Sequence, residues 1–295
     1  MDGAHATRTR GVLLTAAASA FGAIFLVPYQ AAVAAGDRAS ATAAMIASAA
    51  VFNIIVAMWR RRGVEPPAPG TMRVALALAV LTIAGNVSIA HSLPQIGAGM
   101  TSVVMKSQAV LTPLIAWVTI REKVSPHLFV GLAFALGGFL VMQYADVDAN
   151  AVFPWWALAA AVAFSGMLIV TRRYIRGRST TDINAIRLVI AVALLYAIPA
   201  ELGGARFSDD GALWINAALA GVLGPGISRL LLMSALRHVT ASMVALVGLV
   251  GPVFAFVVAY FVFADVPTPI EIAGALLILG GVAWPVWRGR AQSVK

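Results

Sequence analysis

Cysteine is absent from this 295-residue chain, and only 11% of its residues are charged. Without cysteine there can be no disulfide, thiolate metal ligand or cysteine nucleophile. A soluble domain carries roughly 25% charged residues, so a chain this poor in charge lacks the material for a water-facing surface. Acids are scarcest, 12 against 21 basic residues. None lies centrally in a hydrophobic run; Glu122, Glu201, Asp265 and Glu271 fall near run ends. Proton-driven pumps commonly use buried carboxylates. A membrane pump of this composition would have to couple through Lys106 or His91, or do without coupling by exchange or downhill flow. No P-loop for ATP, no HExxH, no zinc-ligand spacing and no serine-hydrolase elbow occurs. No metal, cofactor or enzymatic activity is expected. An integral-membrane lipid-modifying enzyme would need acids or clustered histidines near a headgroup, and the 4 histidines are scattered.

What is present is apolar: 61% hydrophobic residues and a mean hydropathy of +0.90. A membrane helix needs about 20 apolar residues. By that measure the sequence predicts ten spans, at about 11–32, 39–59, 72–92, 97–119, 126–144, 153–171, 183–200, 212–232, 240–263 and 267–287. The short connections leave no room for a soluble domain. Arg8, Arg10 and Ala32-Val33-Ala34 imitate a secretory signal, but the apolar run exceeds the roughly 7–15 residues of a signal core. Its Ala20-Phe21 also recurs as Ala163-Phe164, so the segment is expected to be a retained first span.

The formal net charge of +9 is spread in short clusters between spans. Membrane topology, not nucleic-acid binding, produces that arrangement. With the N-terminus inside, sixteen of the 21 basic residues fall on cytoplasmic segments, and only Arg38 and Arg206 fall outside. Both termini are therefore expected to be cytoplasmic.

The region from Gly97 to Gly138 returns near the C-terminus. Pro126, Gly131, Gly137 and Gly138 recur 143 residues later as Pro269, Gly274, Gly280 and Gly281, with Asp265 in place of Glu122. Thr101 and Pro113 match Thr240 and Pro252 at a spacing of 139, and Phe21 matches Phe164 at 143. The chain is a duplication, with units 1–148 and 149–295. Five spans per unit is odd, so the second unit enters the membrane inverted. The predicted fold is all-α: ten transmembrane helices as two inverted five-helix repeats. Inverted repeats recur in transporters, with substrate near the midplane between the units.

The proline–acid–glycine pattern after spans four and nine resembles the drug/metabolite transporter superfamily, in its EamA-type branch. Its carriers are Pro113, Arg121-Glu122-Lys123, Gly131 and Gly137-Gly138, then Pro252, Asp265, Gly274 and Gly280-Gly281. The acid usually follows glycine and precedes a basic residue. Ala264-Asp265-Val266 lacks both neighbours, so the second copy has drifted. The resemblance implies export or exchange of small metabolites across the bacterial inner membrane. Amino-acid exporters, including aromatic amino-acid exporters of the YddG type, are prominent in the family. A nucleotide-like or cationic drug-like substrate is the alternative within transport. The expected partners are a small-molecule substrate and the bilayer, with a monomer favoured.

Lys106 is the main site candidate. It stands ten residues into span four, where a buried cation costs at least about 2.5–3.5 kcal/mol. Gly99, Ser102, Ala109 and Pro113 share its helix face, and small residues mark close packing or a cavity wall. Its repeat counterpart is Ala245, which argues against a shared structural role. The competing role is a lysine held by carbonyls that Pro113 frees. Ser102, Asn86 and His91 complete the candidate binding set, although His91 lies near the outer end, where an interfacial role is more common. Arg187 and Arg229 are placed about a turn from the cytoplasmic side, within reach of water by snorkelling. Tyr29, Trp117, Trp155 and Trp156 are assigned to the aromatic belts. Gly224-Pro225-Gly226 removes a donor and loosens the backbone, so a hinge is predicted in span eight.

Overall fold

A computed structural model describes residues 2–60, 70–122, 126–143, 154–251, 253–254 and 269–292. The predicted roles of Pro252 and Asp265 lie outside the described residues, as does most of span nine beyond 254. Among the described residues all regular structure is helical. Lipid offers backbone groups no hydrogen-bond partner, so each segment must satisfy its own. The helices are α1 (Asp2–Ile24), α2 (Leu26–Ala34), α3 (Arg38–Arg60), α4 (Thr71–Met105), α5 (Gln108–Ile120), α6 (Pro126–Gln143), α7 (Trp155–Tyr174), α8 (Thr180–Ala197), α9 (Gly211–Gly221), α10 (Arg229–Ala235), α11 (Ala241–Val247) and α12 (Pro269–Gln292). A π-helical segment, Val222–Ser228, joins α9 to α10.

Among the described residues six stretches are long and apolar enough to cross a membrane: Ala6–Ala34, Arg38–Trp59, Thr71–Ala98, Trp155–Tyr174, Thr180–Ala197 and Gly211–Ala235. Shorter apolar helices at Gln108–Ile120, Pro126–Gly138, Ala241–Val250 and Ile272–Trp284 fall within predicted spans four, five, nine and ten. Trp59, Val118 and Leu140 are among many large apolar side chains left exposed, the surface a lipid-facing protein needs.

Helices pair across the two halves. α6 packs on α12, α4 on α7, α3 on α8, α1 on α10 and α5 on α11. At the α6–α12 crossing the repeated glycines meet reciprocally. A Cβ on Gly138 would stand 2.5 Å from the carbonyl oxygen of Gly274, and one on Gly281 would stand 2.6 Å from that of Gly131. Small residues let membrane helices approach this closely, where packing rather than water exclusion holds helices together.

Glu122 ties the halves together at one end of the bundle. α5 stops at Ile120 because Arg121 turns left-handed at φ 50°. The Glu122 carboxylate then reaches the start of α11. It accepts from the Ala241 N–H at 3.2 Å, the Ser242 N–H at 3.1 Å, and the Ser242 hydroxyl. A carboxylate at a helix N-terminus satisfies orphan donors and complements the helix dipole. Positive charge gathers at this end. Arg172 donates to the Leu236 carbonyl at 2.6 Å, and Arg237 to that of Arg178. His238 is pushed below the ordinary imidazole value by partial burial, then by Arg10 and Arg237. Glu122→Ala should lower stability by about 1–3 kcal/mol, the cost of leaving such donors unpaired. Glu122→Gln, which keeps one acceptor, should lose about half as much. Thermal melts in detergent measure both, and an unchanged melt for Glu122→Ala would mean that water replaces the carboxylate.

Tyr29 corrects an expectation. It is fully buried, with its hydroxyl 2.6 Å from Thr42 Oγ1 and donating to the Asn86 carbonyl at 2.9 Å. A ring with both hydrogen-bonding capacities met inside the bundle has no reason to sit in an interfacial belt. Trp117 and Trp155 are 64% and 67% exposed.

Candidate functional site

Two apolar clusters build the core. One joins Phe25, Leu26, Phe164 and Met167; the other joins Ala109, Leu168, Val244 and Leu249. A cavity of about 140 Å³ lies between them and is lined by residues of both halves. Interrupted helices shape it.

α4 changes direction at Gly97, whose φ of 69° glycine adopts without strain. The next N–H, that of Ala98, is held by Gln30 Oε1 at 2.9 Å. Span four was expected to run unbroken over 97–119, but it stops at Met105 and resumes at Gln108. Around Lys106-Ser107 the bonds tighten to i→i−3: Ser107 to Val104, Ala109 to Lys106, Val110 to Ser107. In the second half α11 likewise yields to a tight turn, Gly248–Val250. Lys106 Nζ donates to the Gly248 carbonyl across this pair of breaks, at 3.2 Å. Its carbonyl partner thus comes from the opposite repeat and not from the turn before Pro113. Gly251 makes room for the lysine, since a Cβ there would lie 2.9 Å from Nζ. Ala245, the repeat counterpart of Lys106, lines the same cavity.

Of the other candidates, Ser102 and Asn86 line the cavity, as do Gly224 and Pro225. Asn86 also donates back to the Thr82 carbonyl at 2.8 Å. His91 lies elsewhere: Nδ1 is 2.9 Å from the Val87 carbonyl, and the ring stacks on Trp156 with centroids 4.6 Å apart. Gly226 packs behind the wall, where a Cβ would stand 2.9 Å from the Gly221 carbonyl and 3.2 Å from the Phe52 ring. The predicted irregularity at 224–226 takes the form of the π-helical segment. Such segments widen the turn and leave carbonyls free. The Pro225 carbonyl accepts from Asn184 Nδ2 at 3.3 Å.

Arg187 and Arg229 correct the snorkelling assignment, because both line the cavity. Arg187 is 1% exposed. Its Nε donates to Asn184 Oδ1 at 2.7 Å and its Nη1 to Thr82 Oγ1. Asn184 in turn donates to Asn53 Oδ1 at 2.7 Å. Arg229 lies over the Phe164 ring at 5.0 Å, a cation–π distance. The physical reason is helix length. α8 begins at Thr180, capped by Ser179, whose hydroxyl accepts from the Asp182 N–H at 3.2 Å. Arg187 is therefore about two turns in. α10 runs on to Ala235, which buries Arg229 as deeply in sequence.

The cavity thus presents three cations and no carboxylate among its described lining residues. Phe25, Phe164 and methionines supply apolar wall beside them. The arrangement attracts an anion with an apolar body.

Comparisons with known proteins agree with a membrane-carrier architecture. The EamA-like transporter family matches the chain twice, over residues 9–144 and 153–287. The riboflavin transporter ImpX of Fusobacterium nucleatum is 23% identical over 191 residues, which are 61% of this chain and 63% of that protein. The chain therefore spans less than two thirds of that relative's length. An uncharacterized protein of Pseudomonas aeruginosa is 28% identical over 254 residues, covering 84% of this chain and 83% of that one. A solved crystal structure shares the fold over 99% of both chains, with a TM-score of 0.67 at 19% identity. Two matches that together take in nearly the whole sequence make this protein a member of the EamA-like transporter family.

Proposed function

We propose that this chain is a secondary transporter that exports a small amphipathic carboxylate from the bacterial cytoplasm by alternating access, with amino acids, aromatic ones foremost, as the first class to assay. The observation that carries this reading is the cavity between the halves, where Lys106, Arg187 and Arg229 stand beside Phe25 and Phe164 with no acid among the described lining residues. Lys106 would hold the substrate carboxylate, with Ser102 and Asn86 contributing polar contacts. The cations count against a cationic drug-like substrate. The aromatic walls and the resemblance to the riboflavin transporter ImpX support a flavin as the second reading. Efflux from proteoliposomes loaded with an amino-acid panel, organic acids and riboflavin separates these. Efflux of riboflavin alone, or of no carboxylate, would end the first reading.

The architecture in this proposal is two inverted five-span units, 1–148 and 149–295, in an inner-membrane monomer with both termini cytoplasmic. The helix pairing supports it: exchanging the halves turns α3–α8, α5–α11 and α6–α12 into themselves, and α1–α10 into α7–α4. A chain without cysteine suits labelling of single introduced cysteines. Residues 173–181 and the C-terminus should label from the cytoplasmic side and 203–210 from the outside. An external C-terminus would sink the inverted topology.

The π-helical segment is the proposed hinge, the wall that moves between states. Gly224 sits against Phe25, where a Cβ would meet the ring at 2.6 Å. Gly224→Ala with Gly226→Ala should slow turnover more than it weakens substrate affinity, as gating residues do. Initial rates set beside equilibrium binding measure the split. Normal rates in a well-folded double mutant would make the segment a static kink.

A further inference from the structure

We infer that Arg187 and Arg229 form a second anion subsite in the cavity, distinct from Lys106, so that the preferred substrate is a small organic dianion with an apolar body between its two acidic groups. The inference rests on the reading of Lys106 as the carboxylate anchor and narrows its substrate class. Lys106 is held from the second half by Gly248, whereas the arginines stand on α8 and α10 beside the π-helical segment. One carboxylate on Lys106 leaves two cations of the same cavity unanswered.

Arg187 carries the argument furthest. Buried to 1% exposure, it uses Nε and Nη1 on Asn184 and Thr82, and these partners fix the guanidinium plane. Nη2 has no hydrogen-bond partner among the described residues. An unfilled donor on a buried cation is costly unless something answers it. Arg229 lines the same cavity, and its own described contact is the Phe164 face. Two like charges lining one cavity, one of them with a free donor, are poor architecture for an empty protein. They suit a carboxylate or phosphate oxygen pair, which would answer the charge and take up the donor.

The test titrates the full-length protein in nanodiscs with three probes built on one benzene ring: phenylacetate, 1,4-phenylenediacetate and 4-(carboxymethyl)phenyl phosphate. A two-acid probe should bind about tenfold or more tighter than phenylacetate, the scale of one charge-assisted hydrogen bond. Whichever two-acid probe binds tighter identifies the second group as carboxylate or phosphate. Arg187→Gln should bring the ratio to about one. Because that variant also breaks the Asn184–Thr82 network, Arg229→Gln, outside the network, is the second variant and should reduce the ratio too. Equal affinities for one-acid and two-acid probes in the unaltered protein would overturn the subsite. So would a ratio that survives in Arg229→Gln, or failure of every probe to bind. Lys106→Gln should weaken all three probes together. If it leaves phenylacetate unchanged while the arginine variants still erase the ratio, the Lys106 reading fails and the arginine subsite stands.

Discussion

Lys106→Gln is expected to lower initial-rate transport of a carboxylate substrate by about 10- to 100-fold while the purified protein melts no earlier than the unaltered one. The two halves of that result have separate causes. A charge-assisted contact to a bound carboxylate contributes about 1.5–3 kcal/mol, which sets the loss of function. The contribution of Lys106 to the fold is small by comparison: one bond to the Gly248 carbonyl, at 3.2 Å. Against it stands the cost of holding an ammonium within a membrane span, at least about 2.5–3.5 kcal/mol. Removing the charge relieves that cost, and a glutamine amide can still donate to the carbonyl. Lys106→Arg should keep part of the activity, since the planar guanidinium is larger and differently shaped, and Gly251 leaves only 2.9 Å between Nζ and a notional Cβ. Rates in liposomes beside thermal melts make the comparison. Normal transport by Lys106→Gln would end the anchor role, and a collapsed fold would make the lysine structural.

Lys106 was legible in the sequence because it breaks an apolar run and because the duplication supplies an internal reference, Ala245, with which to compare it. The irregularity in span eight was legible for a similar reason: Pro225 removes a backbone donor wherever it stands. The arginines were not, although the signal existed. Ser179 with Asp182 three residues on is a helix-start pattern. Starting the seventh span there, and not at 183, moves Arg187 from the membrane edge to two turns inside. Hydropathy measures how long an apolar run is, whereas capping residues say where the helix begins. The break at Lys106-Ser107 carries no comparable mark, since neither residue forbids helix. It depends on the i→i−3 bonds and on Gly248 from the other half, and these are tertiary facts. His91 shows the converse: a histidine beside polar neighbours on one span looked like a binding group, but Trp156 and the Val87 carbonyl occupy it.

The sequence also could not rank the glycines within each repeated pair, and the structure does so sharply. At Gly281 an added Cβ would meet the Ala135 backbone nitrogen at 2.5 Å and the Gly131 carbonyl oxygen at 2.6 Å. At Gly138 it would meet the Gly274 carbonyl oxygen at 2.5 Å and the Ile278 nitrogen at 2.8 Å. Backbone atoms cannot swing aside, so α6 and α12 would have to separate. In lipid that loss is direct, because close packing and not water exclusion holds helices together. Gly281→Ala and Gly138→Ala should each cost about 1–3 kcal/mol, the usual price of overpacking. The leucine replacements should prevent recovery of folded protein. Gly137 and Gly280 supply the control, for a Cβ at either meets nothing within 4 Å. Alanine there should be neutral or stabilising by up to about 1 kcal/mol, the helix preference of alanine over glycine. The readout is the melting midpoint of the four single alanine variants, together with the double variant at 138 and 281. Both changes open one crossing, so the double variant should lose less than the two singles combined. Equal melts for Gly280→Ala and Gly281→Ala would mean that the crossing tolerates separation and that the repeated glycine pair serves something other than contact between these helices.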